Sequence, residues 1–449
     1  MPPKPSSPEK SPRFLAVEIL EKIEKKGAFA EPLLDRYLSS GLPESMPDRR
    51  LLTQLVYGTL RMRGRLDWII AQIYRGNPST LGTRASNILR TALYQIFFLD
   101  RIPEFAIVDE AVGISGGSGL VNAILRNAIR RRAEIVYPDM QSDAALHIAV
   151  VHSHPLWLVK KWVGISGREE TLFACRANNE TPSVTVRINR LKTTRDMAVA
   201  MLEQDGFSVR KTLYSPDGLV LEGSPMILRE TMIYRQGRIH LQDEASQLAA
   251  FLVDPRPGET ILDACAGTGG KTAHIAALME NRGSILAIDR DGRKLGSLRQ
   301  LVERLGVTIA KTMTADATTV VGENLQESFD RVLVDAPCSG LGTLRRNPEI
   351  KWRIRPNDIR SFTHLQGTIL ERAALWLRRG GALVYSTCTV SPEENEEIID
   401  GFLARHGEFH MQRPPDAIDP VLVDSRGFFR THTHRHGMDG FFGALMRRT

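Results

Sequence analysis

The sequence predicts a multidomain fold, with an all-α N-terminal domain, a small α+β module and a C-terminal doubly wound α/β domain. Three observations carry this. The chain has 449 residues, against ~150 for an ordinary domain. Apolar residues recur at threes and fours up to about residue 133, the spacing of one helix face. From Gln242 onward short apolar runs alternate with helical stretches, the signature of a largely parallel sheet covered by helices. The expected order is a tail at 1–12, the helical domain at 13–150, linker helices and the α+β module at 151–240, and the α/β domain at 241–449.

Residues 1–12 hold Pro, Ser and Lys without an apolar run, which predicts a disordered tail and no signal peptide. Helical spacing follows in F-L-A-V-E-I-L-E-K-I, R-L-L-T-Q-L-V-Y-G-T-L and I-L-R-T-A-L-Y-Q-I-F-F-L. Gly41-Leu-Pro, Gly76-Asn-Pro and Arg101-Ile-Pro punctuate it as turns. The cluster Gly113, Gly116, Gly117 and Gly119 lacks a preceding strand and a following Lys-Ser/Thr. It predicts a helix–helix connection and not a phosphate loop. A short helical link, H-P-L-W-L-V-K-K-W, leads to a change of texture around residue 182. V-T-V-R-I-N, F-S-V-R-K-T and G-L-V-L-E read as strands, with a helix in T-T-R-D-M-A-V-A-M-L-E-Q-D. Basic residues of this module, among them Arg187, Arg190, Lys192, Arg210 and Lys211, suit backbone contacts to nucleic acid.

At 42% hydrophobic and 25% charged, the composition excludes a disordered or fibrous chain. No apolar run approaches the ~20 residues of a membrane helix. Four cysteines without a C-x-x-C pair argue for a reducing, cytoplasmic setting and against a disulfide framework. The net charge of +7 is unevenly placed: residues 1–240 hold 33 Lys/Arg against 25 Asp/Glu, and residues 241–449 hold 26 against 27. A basic N-terminal half favours a polyanion partner, nucleic acid first. A plain soluble surface fits the charge alone equally well.

Chemistry gathers at the strand ends of the last domain. T-I-L-D-A leads into Asp263-Ala-Cys265-Ala266-Gly267-Thr268-Gly269-Gly270-Lys271-Thr272, whose glycines let the backbone approach a ligand. Cys265 replaces the first glycine of a Walker A loop, and Lys271 the third glycine of a dinucleotide fingerprint. The next strand ends at Asp289, about twenty residues on, placed for ribose hydroxyls. A third leads to Asp316, suited to an adenine edge. Together they fit S-adenosylmethionine better than ATP or NAD; for each Asp alone, a helix cap is the plainer role. The fourth strand ends in Asp335-Ala-Pro-Cys338-Ser-Gly, and the fifth in Tyr385-Ser-Thr-Cys388-Thr with Pro392-Glu-Glu-Asn beyond. Cysteines on neighbouring strand ends would project into one cleft, although buried Cys is often only core. Cys265, Cys338 and Cys388 lack zinc spacing, so no metal is expected. His432, His434 and His436 alternate, but read as a loop beside the cleft ahead of a metal patch.

D-A-C-x-x-x-G-G-K-T, D-A-P-C-S-G, S-T-C-T with P-E-E-N, G-T-L-R-R-N-P-E-I-K-W and the closing D-G-F-F resemble the NOL1/NOP2/Sun family of RNA cytosine-C5 methyltransferases. L-D-W, I-L-R-T-A-L-Y-Q-I-F-F-L-D-R-I-P and V-N-A-I-L-R are similar to the NusB antitermination-factor domain. The resemblance spans nearly all of the chain after the tail. It implies a NusB-like RNA-binding domain, an RNA-binding α+β module and a Rossmann-like class I methyltransferase domain, in a monomer. It implies that S-adenosyl-L-methionine is held by the loop from Cys265 to Lys271 and by Asp289, Asp316 and Asp335. The implied reaction is methylation of carbon 5 of a cytosine in 16S ribosomal RNA, at position 967. A tRNA substrate and a non-catalytic RNA-binding assembly factor are the alternatives.

Two cysteines suit that reaction. Carbon 5 of cytosine is a poor nucleophile, and thiolate addition at C6 activates it. After methyl transfer the C5 proton must leave and the thioether must be eliminated, which calls for a second group. The resemblance implies Cys388 as nucleophile, Cys338 in release, and Asp335 on the base edge supporting protonation at N3. Spacing alone does not divide the two thiols. Lys271 would orient cofactor or substrate, with helix N-terminal placement as the plainer role. Arg345, Arg346, Lys351 and Trp352 would hold RNA backbone and a splayed base, or form a solvated loop. The family carries Ala-Pro where this chain has Gly267-Thr268, which implies a looser loop.

Overall fold

The computed structural model describes residues 11–222, 225–319 and 325–449; residues 1–10 of the expected tail lie outside these. The chain divides into two compact units, Met1–Glu180 with Leu344–Arg353, and Thr181–Thr343 with Ile354–Thr449.

The first unit is helical. The three apolar runs fall in helices Pro12–Lys26, Met46–Ile73 and Thr83–Phe98. Ser11 caps the first by accepting the Phe14 N–H, and Pro12 sits where a helix needs no N–H. The glycine cluster joins helices Glu104–Ile114 and Gly119–Arg130. Val17, Leu66, Ile69, Leu89, Leu93, Ile107 and Leu125 meet in one buried cluster. The link helix is longer than its apolar run suggests, spanning Leu156–Ala177 across a non-helical Gly167 at φ 80°.

Leu344–Arg353 is built into this unit, and here the structure corrects an expectation. Lys351 Nζ is buried and donates to the carbonyls of Arg61 at 3.0 Å and Ser153 at 2.9 Å, and to Asn179 Oδ1 at 2.9 Å. Trp352 Nε1–H donates to the Leu60 carbonyl at 2.7 Å. Glu349 Oε1 accepts the Ala30 N–H at 2.7 Å, and Arg345 is buried. An ammonium removed from water needs three acceptors, and Lys351 finds them in its own protein. Lys351 and Trp352 are anchors of this segment, not a grip on RNA.

The second unit begins with β1 (Val184–Ile188), β2 (Ser208–Lys211), β3 (Gly218–Glu222) and β4 (Ile239–Leu241). They form an antiparallel sheet in the order β2-β3-β1-β4. Val186, Ile188, Leu219 and Leu221 pack with Ala198 and Leu202 of helix Arg195–Gln204. Arg187 departs from its expected role: central in this sheet and 1% exposed, it donates to Gln242 Oε1 at 2.7 Å and the Gly270 carbonyl at 2.8 Å. Arg190, Lys192, Arg210 and Lys211 stay exposed, though Arg190 pairs with Asp217 and Lys211 with Asp196.

The larger sheet holds β5 (Thr260–Asp263), β6 (Ser284–Asp289), β7 (Ala310–Thr314), β8 (Phe329–Asp335) and β9 (Leu377–Thr387). These five are parallel, in the order β9-β8-β5-β6-β7. β10 (Phe409–Met411), β11 (Phe429–Arg430) and β12 (Phe442–Arg448) add an antiparallel edge, with β12 against β9. Ile261, Leu333, Val384 and Leu445 face one layer, and Leu262, Val334, Tyr385 and Ala444 the other. This alternation buries both faces. β5 lies between β6 and β8, so strand order reverses there, and the crevice at such a reversal is where ligands bind.

Candidate active site

The loop after β5 turns into helix Gly270–Leu278. It is pinned through its backbone: Ala266 N–H to the Ile288 carbonyl at 2.8 Å, and Gly269 N–H to the Ala266 carbonyl at 2.9 Å. Gly267 N–H meets the Asp289 carboxylate at 2.9 Å. Gly269 has φ 88°, and a Cβ there would lie 2.4 Å from Leu298 Cγ, so only glycine fits. The loop that lacks Ala-Pro is therefore tied to β6 and to itself.

Cys265, Ala266, Gly267, Thr268, Gly270, Lys271 and Asp335 line a cleft of about 440 Å³, with Gly269 making the turn behind them. Asp289 backs the loop, its carboxylate taken by Gly267 N–H and by Asp291 N–H at 2.8 Å. Asp316 falls outside this lining and accepts from Thr318 N–H at 2.9 Å and Oγ1 at 2.7 Å, the local turn role a short acidic side chain often takes.

His240, Gln242, Asp243 and Asp263, given no site role from the sequence, also line the cleft. Asp243 reads as an N-cap, and it is one for helix Glu244–Val253, so no local signal separates the two roles. Asp263 is buried; Oδ2 accepts from Thr272 Oγ1 at 2.7 Å, and Oδ1 has no hydrogen-bond partner among the described residues. Burial pushes its carboxyl up to about 7, opposed by the Thr272 hydrogen bond and reinforced by Asp335. The Cys265 thiol is held well above its ordinary range by burial and by Asp263, Asp335 and Asp289, so it keeps its proton.

The two other cysteines meet because β8 and β9 are in register, Asp335 opposite Ser386. Just beyond, the Cys338 and Cys388 sulfurs are 3.3 Å apart. P-E-E-N is the clamp: Glu394 accepts from Ser339 N–H at 2.8 Å and Ser339 Oγ at 2.5 Å. Asn395 accepts from Thr387 Oγ1 at 2.6 Å and donates to the Thr389 carbonyl at 3.0 Å. D-G-F-F adds to it through Gly440 N–H to the Gly342 carbonyl at 2.8 Å, while Gly342 N–H donates to the Cys388 carbonyl at 3.0 Å. A Cβ on Gly342 would lie 1.9 Å from the Gly440 carbonyl oxygen.

Charge is arranged around the pair. The hydrogen bond to Cys388 and then burial hold the Cys338 thiol well above the ordinary cysteine range, so Cys338 keeps its proton. Lys271 Nζ donates to Asp335 Oδ2 at 2.7 Å, and Ser386 Oγ donates to Asp335 Oδ1 at 2.9 Å. Burial alone would lower the Lys271 ammonium, but Asp335, with Cys388 adding, raises it above its usual value. A carboxylate with one partner on each oxygen can still accept another hydrogen bond. The site thus gathers two sulfurs in contact and a carboxylate–ammonium pair.

His434 and His436 fall on a short helical turn, Thr433–His436, which His432 precedes, with the His432 and His436 rings 6.1 Å apart. Among the described residues, no group of three His, Cys, Asp or Glu is arranged to hold a metal. Nor is any described helix long and apolar enough to cross a membrane.

The family model of the 16S rRNA methyltransferase RsmB/F matches residues 250–447. The NusB family model matches 10–130, and the ferredoxin-like domain model of RsmF/B-like methyltransferases matches 154–227. The chain is similar to a probable ribosomal RNA small subunit methyltransferase B of Bacillus subtilis (strain 168), with 36% identity over 98% of this chain and 99% of that protein. It is also similar to the ribosomal RNA small subunit methyltransferase B of Pseudomonas syringae pv. tomato, with 36% identity over 82% and 83%. A solved structure named PH0851 is 30% identical, covers 99% of each chain and superposes with a TM-score of 0.82.

Proposed function

Because the chain belongs to the 16S rRNA methyltransferase RsmB/F family, we propose that it methylates carbon 5 of a cytosine in 16S ribosomal RNA through a covalent Cys388–C6 bond. The observation that carries this reading is the 3.3 Å pair of sulfurs with the Lys271–Asp335 pair, whose two members line a cleft sized for a small cofactor. A volume of about 440 Å³ lies within the range of such sites.

S-adenosylmethionine supplies an electrophilic methyl group when bound. The residues present fit it: a glycine loop that permits close approach, Asp289 behind that loop, and the Asp263 carboxyl lining the cleft for an ammonium. The Cys388 sulfur adds to C6, and the C5–C6 π electrons become available at C5 to take the methyl group. Asp335 hydrogen-bonds the base edge and supports protonation at N3. Once C5 is methylated, its proton passes to a water molecule, the C5–H electrons re-form the C5–C6 double bond, and the C6–S bond breaks with its electrons leaving on the Cys388 sulfur. Cys338 serves this second half, sharing a proton with the departing sulfur.

The test is methyl transfer from tritiated S-adenosylmethionine by the full-length protein, with 16S ribosomal RNA and tRNA offered separately. Bisulfite sequencing then locates the product, and cytosine 967 is the position to read first. Label on C5 of a 16S cytosine is expected. Label on tRNA alone moves the substrate class, and no label on either overturns the reading.

A further inference from the structure

His240 takes no part in the reaction above, yet it lines the cleft from β4, next to the glycine loop. Its Nδ1 lies 3.2 Å from Arg304 Nη2. A guanidinium only donates, so Nδ1 is the bare nitrogen and Nε2 carries the proton. Nε2 has no partner among the described residues. It lies 3.8 Å from where a Cβ on Gly270 would sit, at the first turn of helix Gly270–Leu278.

We propose that His240 is a cofactor-binding residue whose Nε2–H hydrogen-bonds the α-carboxylate on the amino-acid tail of S-adenosylmethionine. The proposal rests on the cofactor reading above. Three features single out the carboxylate. The donor is fixed in direction by Arg304, so it meets an acceptor without reorganising. It points towards the N-terminal end of helix Gly270–Leu278, where backbone N–H groups already favour an anion. Arg187, Arg304 and Arg229 surround the ring; with burial as the larger cause, they hold it neutral, well below the ordinary histidine range. A neutral donor in a cationic corner attracts a carboxylate and repels an ammonium. Asp243 and Asp263 line the same cleft, which gives the ammonium of that tail its own partners. The two ends of a zwitterion are thereby sorted.

Calorimetric titration of the full-length protein with two ligands tests this. S-adenosylhomocysteine carries the amino-acid tail, and 5′-methylthioadenosine lacks it. His240→Leu is expected to weaken S-adenosylhomocysteine about ten- to a hundredfold, the range for a hydrogen bond to a charged group, and to leave methylthioadenosine within about twofold. His240→Gln, which keeps an N–H donor, should recover most of the loss. Equal weakening of both ligands would make His240 a packing residue and overturn the proposal, as would no weakening of either. Failure of the wild-type protein to bind S-adenosylhomocysteine at all would instead overturn the cofactor reading itself.

Discussion

Lys271 Nζ and Asp335 Oδ2 lie 2.7 Å apart within the cleft, so one ion pair joins the first turn after the glycine loop to the end of β8. Removing one partner of a largely buried pair leaves the other charge uncompensated. Lys271→Met should therefore lower stability by about 3 kcal/mol. It should also slow methyl transfer more than it weakens cofactor binding, because Lys271 holds the Asp335 carboxylate that meets the base edge in the proposed reaction. Urea unfolding, calorimetry and a tritium assay measure the three quantities. Unchanged turnover in a folded variant would remove Lys271 from the account.

Asp263 links pH to stability. Its folded value is raised to about 7 from 3.8, chiefly by burial. A raised folded value means that the contribution is complete below pH ~4 and is lost as pH climbs through about 7. Asp263→Asn keeps the shape without the titration. The stability of the wild type relative to this variant should fall between pH 5 and pH 8, by on the order of a few kcal/mol. Denaturant melts at a series of pH values check it, and a flat difference would contradict the buried, half-satisfied carboxyl.

Lys351 offers a test of anchoring against RNA contact. Losing a phosphate contact reduces the slope of log affinity against log salt by about 1. Lys351→Met should leave that slope unchanged for 16S ribosomal RNA while lowering the melting temperature, since three acceptors lose their donor. A reduced slope with unchanged melting would restore Lys351 to an RNA-binding role.

The reach of sequence reasoning follows from which interactions are local. β5, β6 and β8 each end an apolar run in an Asp, so the parallel sheet and the cysteine-bearing strand ends were legible from spacing. The antiparallel edge was not, because D-G-F-F carries no mark of strand direction; only its pairing with β9 sets that. Basic side chains were the main failure. Arg187 and Lys351 read as phosphate contacts, since a cation looks the same in sequence whether it meets phosphate or a ring of carbonyls. Each instead satisfies an interior. His240 escaped notice because a three-residue strand has no period, and its meaning comes from Arg304, 64 positions away.

Two sulfurs 3.3 Å apart divide the labour of the proposed reaction, and trapping of RNA on the protein tests that division most directly. With Cys338→Ala, Cys388 can still add to the base and methyl transfer can proceed, but release is impaired. Incubated with S-adenosylmethionine and 16S ribosomal RNA, this variant should give a slow-migrating protein–RNA band on a denaturing gel. Cys388→Ala and the double variant should give none, while Cys388→Ala still binds cofactor by calorimetry. A band from Cys388→Ala in place of Cys338→Ala would reverse the two roles. No band from either variant, with both inactive on an RNA that the wild type methylates, would contradict the covalent mechanism.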